Sequence, residues 1–159
     1  MDIKFEKDGY KFNVRSSCII KDKTYNNVLL TKMRAVDGAY ILPGGRVELL
    51  ETTNSAIKRE LNEELGLSIE QEYKLVSIEE DFNQSINFHM LEFVYYTEVD
   101  NFDFINNIDQ SWDQFEIFDI TNIDNIDIRP KTVIELIKQN NYNIISNHSN
   151  YDWGDKKVK

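Results

Sequence analysis

A glycine pair followed by a charge-dense helix constrains this chain more than any other feature. After Pro43-Gly44-Gly45, five residues intervene before Glu51, and seven more before the run Arg59-Glu60-Leu61-Asn62-Glu63-Glu64-Leu65-Gly66-Leu67. The segment Thr53 to Leu65 is built from good to fair helix formers. Thr52 or Thr53 suits the N-cap, and Gly66 suits the left-handed residue that ends a helix. At about 100° per residue, Ile57, Leu61 and Leu65 share one apolar stripe that must face a core. Glu60, Glu63 and Glu64 fall together on the adjoining face beside Ala56, while Lys58 and Asn62 point to water.

Three carboxylates spaced three and four residues apart repel one another. At about 6 Å and an effective dielectric near 20, each pair costs on the order of 2–3 kcal/mol, and less when solvated. They also stand in the later part of the helix, at the negative end of its dipole. Folding gains nothing from this arrangement, although a solvated acidic face is the ordinary fate of such a run. A divalent cation would turn the cluster into a hard, oxygen-rich site suited to Mg²⁺ or Mn²⁺. Gly44 and Gly45 permit a tight strand-to-loop turn and close backbone approach. Arg59 can pair with Glu51 across the loop, a supporting role rather than a chemical one.

The full pattern, G-x5-E-x7-R-E-U-x-E-E-x-G-U with U aliphatic, resembles the Nudix box, and every fixed position is filled. A chance match is roughly one in a billion per starting position. The resemblance implies an α/β (α+β) fold of the Nudix α/β/α sandwich type, a mixed β-sheet packed between helices. It implies a metal-dependent hydrolase cleaving a pyrophosphate bond in a nucleoside diphosphate linked to another moiety. Glu60, Glu63 and Glu64 and the carbonyl of Gly44 would then be ligands of Mg²⁺ or Mn²⁺. Glu60 or Glu63 would take the proton of the attacking water, with Arg59 and Glu51 in support. A base from a later loop (Glu79, Glu80, Asp81, Asp113 or Glu116) stays open. The alternative reading is a non-catalytic nucleotide or ADP-ribose sensor of the same fold.

The rest of the chain fits one domain. Its 159 residues and 18.8 kDa suffice for a proper core. We expect residues 1–140 to form the domain and 141–159 a tail, with Tyr151 and Trp153 either disordered or docked on the body. Strands are expected at 12–20, 27–35, 39–42, 74–79, 87–99 and 116–120, and a second helix at 131–140 behind Pro130. A net charge of −10 argues against a general nucleic-acid coat; RNA 5′ ends stay open as substrates. No apolar run approaches the roughly 18 residues that span a bilayer. The N-terminal residues lack a secretory pattern, and Cys18 stands alone, so the expected compartment is the cytoplasm. The expected partner is a small nucleotide; monomer and homodimer are both open.

Substrate identity lies outside the box. Arg15, Arg34 and Arg46 are candidates for phosphate contact. Tyr40, Phe82, Phe88, Tyr95 and Tyr96 are candidates for stacking on a base, although ordinary packing or surface placement is the commoner role for each. Many Nudix relatives carry a His-Glu pair in the later aromatic strand. Here the stretch reads Phe88-His89-Met90-Leu91-Glu92, so Met90 stands in place of that glutamate. By alternation Glu92 faces the same way as Met90. His148, in the tail, is assigned no role.

Overall fold

The computed structural model describes residues 1–108, 114–142 and 146–150. Within them, ten strands form one mixed sheet. They are β1 (Lys4–Lys7), β2 (Tyr10–Asp22), β3 (Asn27–Lys32), β4 (Ala39–Ile41), β5 (Gly44–Arg46), β6 (Lys74–Asn83), β7 (Phe88–Val99), β8 (Phe115–Asp119), β9 (Asp127–Ile128) and β10 (Ser146–Asn150). The main path runs β10-β6-β7-β2-β3-β4-β9, with β1 and β5 on β2 and β8 on β3. Two helices pack on it, α1 (Thr53–Leu65) and α2 (Thr132–Lys138).

Strand β2 organises the molecule. It pairs in parallel with β7 from Lys11 to Asp22 and antiparallel with β1, β5 and β3. From Ser16 to Asp22 every residue is buried, as a strand covered on both faces requires. Alternation then sorts its side chains into two layers. Cys18 and Ile20 join Leu29 and Tyr95 beneath Ile57, Leu61 and Leu65 of α1. Ile19 joins Val28, Leu30 and Val94 beneath Val133, Leu136 and Ile137 of α2. The α/β/α sandwich expected above is therefore the architecture.

Helix α1 has the expected ends. Thr52 is its N-cap and accepts from the Ser55 amide, and Gly66 closes it at φ 67° with its N–H on Asn62 O. Elsewhere the structure departs from the sequence reading. Strand β6 runs on to Asn83 rather than stopping at Glu79, because all of Glu79–Asn83 pairs with β7 through to the hairpin. Strand β3 stops at Lys32 rather than Ala35, and α2 is confined to Thr132–Lys138. The short strands β1, β5, β9 and β10 were not expected. Tyr142 is buried in the α2-side core, and β10 adds a parallel strand to β6. Asp113, Tyr151 and Trp153 lie outside the described residues. No helix among the described residues is long and apolar enough to cross a membrane.

Candidate active site

The box is assembled on β2. Strand β5 lays Gly44, Gly45 and Arg46 beside Ser17, Ser16 and Arg15. Gly44 sits at φ 142°, and a Cβ there would lie 2.2 Å from the Ser16 carbonyl oxygen. A Cβ on Gly45 would lie 2.2 to 2.4 Å from the carboxyl atoms of Glu60. The second glycine is thus the seat of the Glu60 carboxylate, a specific reason for its place in the motif. The Ser16 hydroxyl, donating to Thr53 O at 2.9 Å, ties the first turn of α1 to the same strand.

Arg59 locks the loop onto the helix. Its Nε and Nη2 donate to the two oxygens of Glu51 at 2.8 and 3.0 Å, a bidentate pair. Nη1 donates to Glu60 Oε1 at 2.8 Å, and Nη2 also to Arg46 O at 3.1 Å. Glu51 Oε2 in turn accepts the Glu48 amide at 2.9 Å. The Arg59 guanidinium holds the Glu51 carboxyl below the usual carboxylate range, and Glu51 holds Arg59 firmly charged. The pairing expected from the sequence is formed, and it also orients Glu60.

The three acidic residues of the helix face divide by environment. Glu60 is turned to Arg59 and Gly45, and Glu63 is exposed, 3.7 Å from Arg59 Nη1. Glu64 is half-buried, and its Oε2 is buried with no hydrogen-bond partner. Burial, reinforced by Glu60 and Glu63, pushes its carboxyl up to about 7, against the opposing pull of Arg15 and Arg34. Among the described residues, no three acidic, histidine or cysteine side chains converge as a closed metal cluster. The site is an acidic face with one unsatisfied buried oxygen.

The remaining candidates scatter. Arg15 lies beside the box, its Nε on Glu92 Oε1 at 3.2 Å and its Nη2 on Leu42 O at 2.7 Å. Arg34 is exposed after β3, close enough for its charge to act on Glu64. Arg46 points to Asp2 at 3.1 Å. Tyr40 is not brought to the box: it stacks edge-on with Phe118 and donates to Glu116 at 2.6 Å. The alternative bases Glu79, Glu80 and Asp81 lie on β6 rather than on a loop. Glu79 is wholly buried, accepting from Ser77 and Thr132 at 2.5 and 2.8 Å. Glu80 meets His89 Nε2 at 3.1 Å.

One feature escapes sequence reasoning. Met90 and Glu92 share a buried face, as alternation requires. Strand register then aligns Glu79, Glu92 and Arg15 in a single row across β6, β7 and β2. Ser77, Glu79, Asp81 and Asn83 extend it as a buried polar row on an inward face. Burial and the neighbouring Glu79 push the Glu92 carboxyl up, opposed by Arg15. The available signal was the alternation of polar residues from 77 to 83, which reads like a solvent-facing edge until its partners are known.

The seat at Gly45 gives a direct test. Gly45→Ala is expected to displace the Glu60 carboxylate while leaving the fold, read by circular dichroism, intact. Any metal-dependent turnover should fall by about two orders of magnitude. Unchanged turnover would show that Glu60 need not occupy that seat.

Comparison with known proteins bears on the family and the fold. No curated protein sequence matches the chain. Among solved structures, the mutator MutT protein from Bacillus halodurans superposes with a TM-score of 0.69 at 18% identity, over 92% of this chain and 95% of that one. A NUDIX hydrolase from Nitrosomonas europaea gives 0.60 at 23% identity, covering 79% and 86%. The E. coli dihydroneopterin triphosphate pyrophosphohydrolase gives 0.61 at 14%, covering 80% and 93%. At these identities the likeness concerns the fold. The family model described as NUDIX domain matches residues 11–137. With that match spanning most of the chain and containing the whole glycine-to-helix motif, the protein belongs to the NUDIX family.

Proposed function

We propose that the protein is a metal-dependent pyrophosphohydrolase acting on a nucleoside diphosphate linked to another group. The observation that carries this reading is the Glu60 carboxylate, seated on Gly45 and gripped by Arg59, one helical turn from the unsatisfied buried oxygen of Glu64. An unpaired buried carboxylate oxygen is costly, and a hard cation is the chemistry that satisfies it. The donor set fits Mg²⁺ or Mn²⁺, which Glu60, Glu63, Glu64 and the Gly44 carbonyl would hold. When bound, the ion supplies neutralisation of diphosphate charge and a more acidic water.

The chain's own groups supply the rest. Arg59 fixes the rotamer of Glu60 through Oε1. Glu60 Oε2, or the exposed carboxylate of Glu63, accepts the proton as water attacks phosphorus. A new O–P bond forms, the bridging P–O bond breaks, and the leaving phosphate carries away the electron pair. Arg15, oriented by Glu92 and Leu42 O and close enough for its charge to act on Glu64, is the arm assigned to a substrate phosphate. Arg34 adds positive charge on the same side.

The test is hydrolysis of a panel of nucleoside triphosphates and diphosphate-linked nucleotides with and without Mg²⁺, products identified by mass spectrometry. Glu60→Gln runs alongside. Mg²⁺-dependent turnover absent from the variant is the expected result. Turnover that is equal in variant and wild type would overturn the assignment, and binding without turnover would select a sensor.

A further inference from the structure

On the α1 face of the sheet, away from the box, four aromatic side chains stand in direct register across four strands. Phe82 of β6 is opposite His89 of β7, His89 is opposite Phe12 of β2, and Phe12 is opposite Phe5 of β1. The His89 ring lies 4.2 Å from Phe82 and meets Phe12 edge-on at 5.3 Å. With Tyr10 and Phe88 they line an open groove of about 380 Å³ whose only lysine, arginine or acidic lining residue, among the described residues, is Lys11. Phe5 and Tyr10 remain 54% and 61% exposed, a level at which a contiguous apolar surface calls for a partner.

The direction of the chain identifies the occupant. Strand β10 runs parallel to β6 and its last pair is Asn150 with Asp81, one residue before Phe82. The next residue in the chain is Tyr151. The nine residues 151–159 carry Tyr151 and one of the chain's two tryptophans, Trp153. Extended, they reach about 30 Å, whereas the row spans three strand spacings, about 15 Å. A tethered segment sits at millimolar effective concentration, ahead of any free partner.

We propose that residues 151–159 dock on this groove through Tyr151 and Trp153, extending the row Phe82-His89-Phe12-Phe5. The contact has a consequence for the box. Strand β1 and the residues before it are stitched to the box loop by Ile3 N to Val47 O at 2.7 Å, Leu49 N to Met1 O at 2.9 Å and Arg46 to Asp2 at 3.1 Å. A tail seated on Phe5 steadies the loop that carries Glu51.

Trp112→Phe in the full chain leaves Trp153 as the single tryptophan, excited selectively at the red edge where tyrosine does not absorb. Its emission should be blue-shifted, and acrylamide quenching several-fold weaker than for a free tryptophan amide. Adding Phe5→Asp or Tyr10→Asp, at positions exposed enough to spare the fold, should return both readings to the free values. In a separate full-length chain, Trp153→Ala should speed amide exchange in β1 and leave α1 unchanged. A Trp153 quenched like the free amide, or protected regardless of Phe5→Asp, would overturn the proposal. Protection lost on dilution would also overturn it, assigning the groove to a second copy of the chain.

Discussion

Glu64→Gln is expected to lower turnover by about three orders of magnitude while raising the melting temperature of the metal-free protein. The two effects have one cause. Glu64 Oε2 is buried without a hydrogen-bond partner, and the side chain sits among Glu60 and Glu63 with its carboxyl pushed up to about 7 by burial. Above pH about 7, holding it ionised costs the apo fold on the order of 1–2 kcal/mol after allowance for partial exposure. That cost fades as the carboxyl protonates at lower pH, and a neutral amide of the same shape removes most of it. For a domain of this size 1 kcal/mol is about 2–4 °C. The wild type should recover the difference on adding Mg²⁺, since a ligand that binds only the folded state stabilises it in proportion to the logarithm of its concentration. The variant should not respond. Thermal melts in chelator and in Mg²⁺ decide the matter: a variant less stable than the wild type in chelator, or equally responsive to Mg²⁺, removes Glu64 from the ligand set.

The box was legible because its logic is local. Glu51, Arg59 and Glu60 lie within ten positions of one another in sequence, and helical periodicity alone brings the acids to one face. The core positions of α1 follow from the same periodicity. What could not be read is whatever depends on strand register. Arg15 and Glu92 are 77 positions apart, and they meet because β2 and β7 run in parallel alignment. Strand β6 was cut short at Glu79 because Glu80 and Asp81 look like a polar loop, yet pairing with β7 places Asp81 in the interior. Tyr40 was a reasonable stacking candidate from its nearness to the box in sequence. Pairing of β4 with β3 and β9 instead turns it toward Phe118 and Glu116. The aromatic row was visible only as scattered phenylalanines until register aligned it.

Arg59→Ala, unlike Glu64→Gln, should destabilise the protein, by about 2–4 kcal/mol, together with a loss of turnover. Arg59 and Glu51 are only 26% and 15% exposed, so truncating the arginine leaves a largely buried carboxylate without its bidentate partner. It also frees Glu60 Oε1 and the Arg46 carbonyl, which Arg59 holds at 2.8 and 3.1 Å. Lysine cannot reproduce the fork, because one ammonium cannot span both oxygens of Glu51 while reaching Glu60. Arg59→Lys should therefore recover part of the stability and little of the turnover. Coupling is the discriminating quantity. If Arg59 acts through Glu51, the Arg59→Ala/Glu51→Gln double variant should be no less stable than Arg59→Ala alone, because the second change removes the stranded charge. Denaturant melts of the four proteins close that cycle. Additive losses would mean that the arginine supports the fold by packing alone, and that the link between loop and helix lies elsewhere.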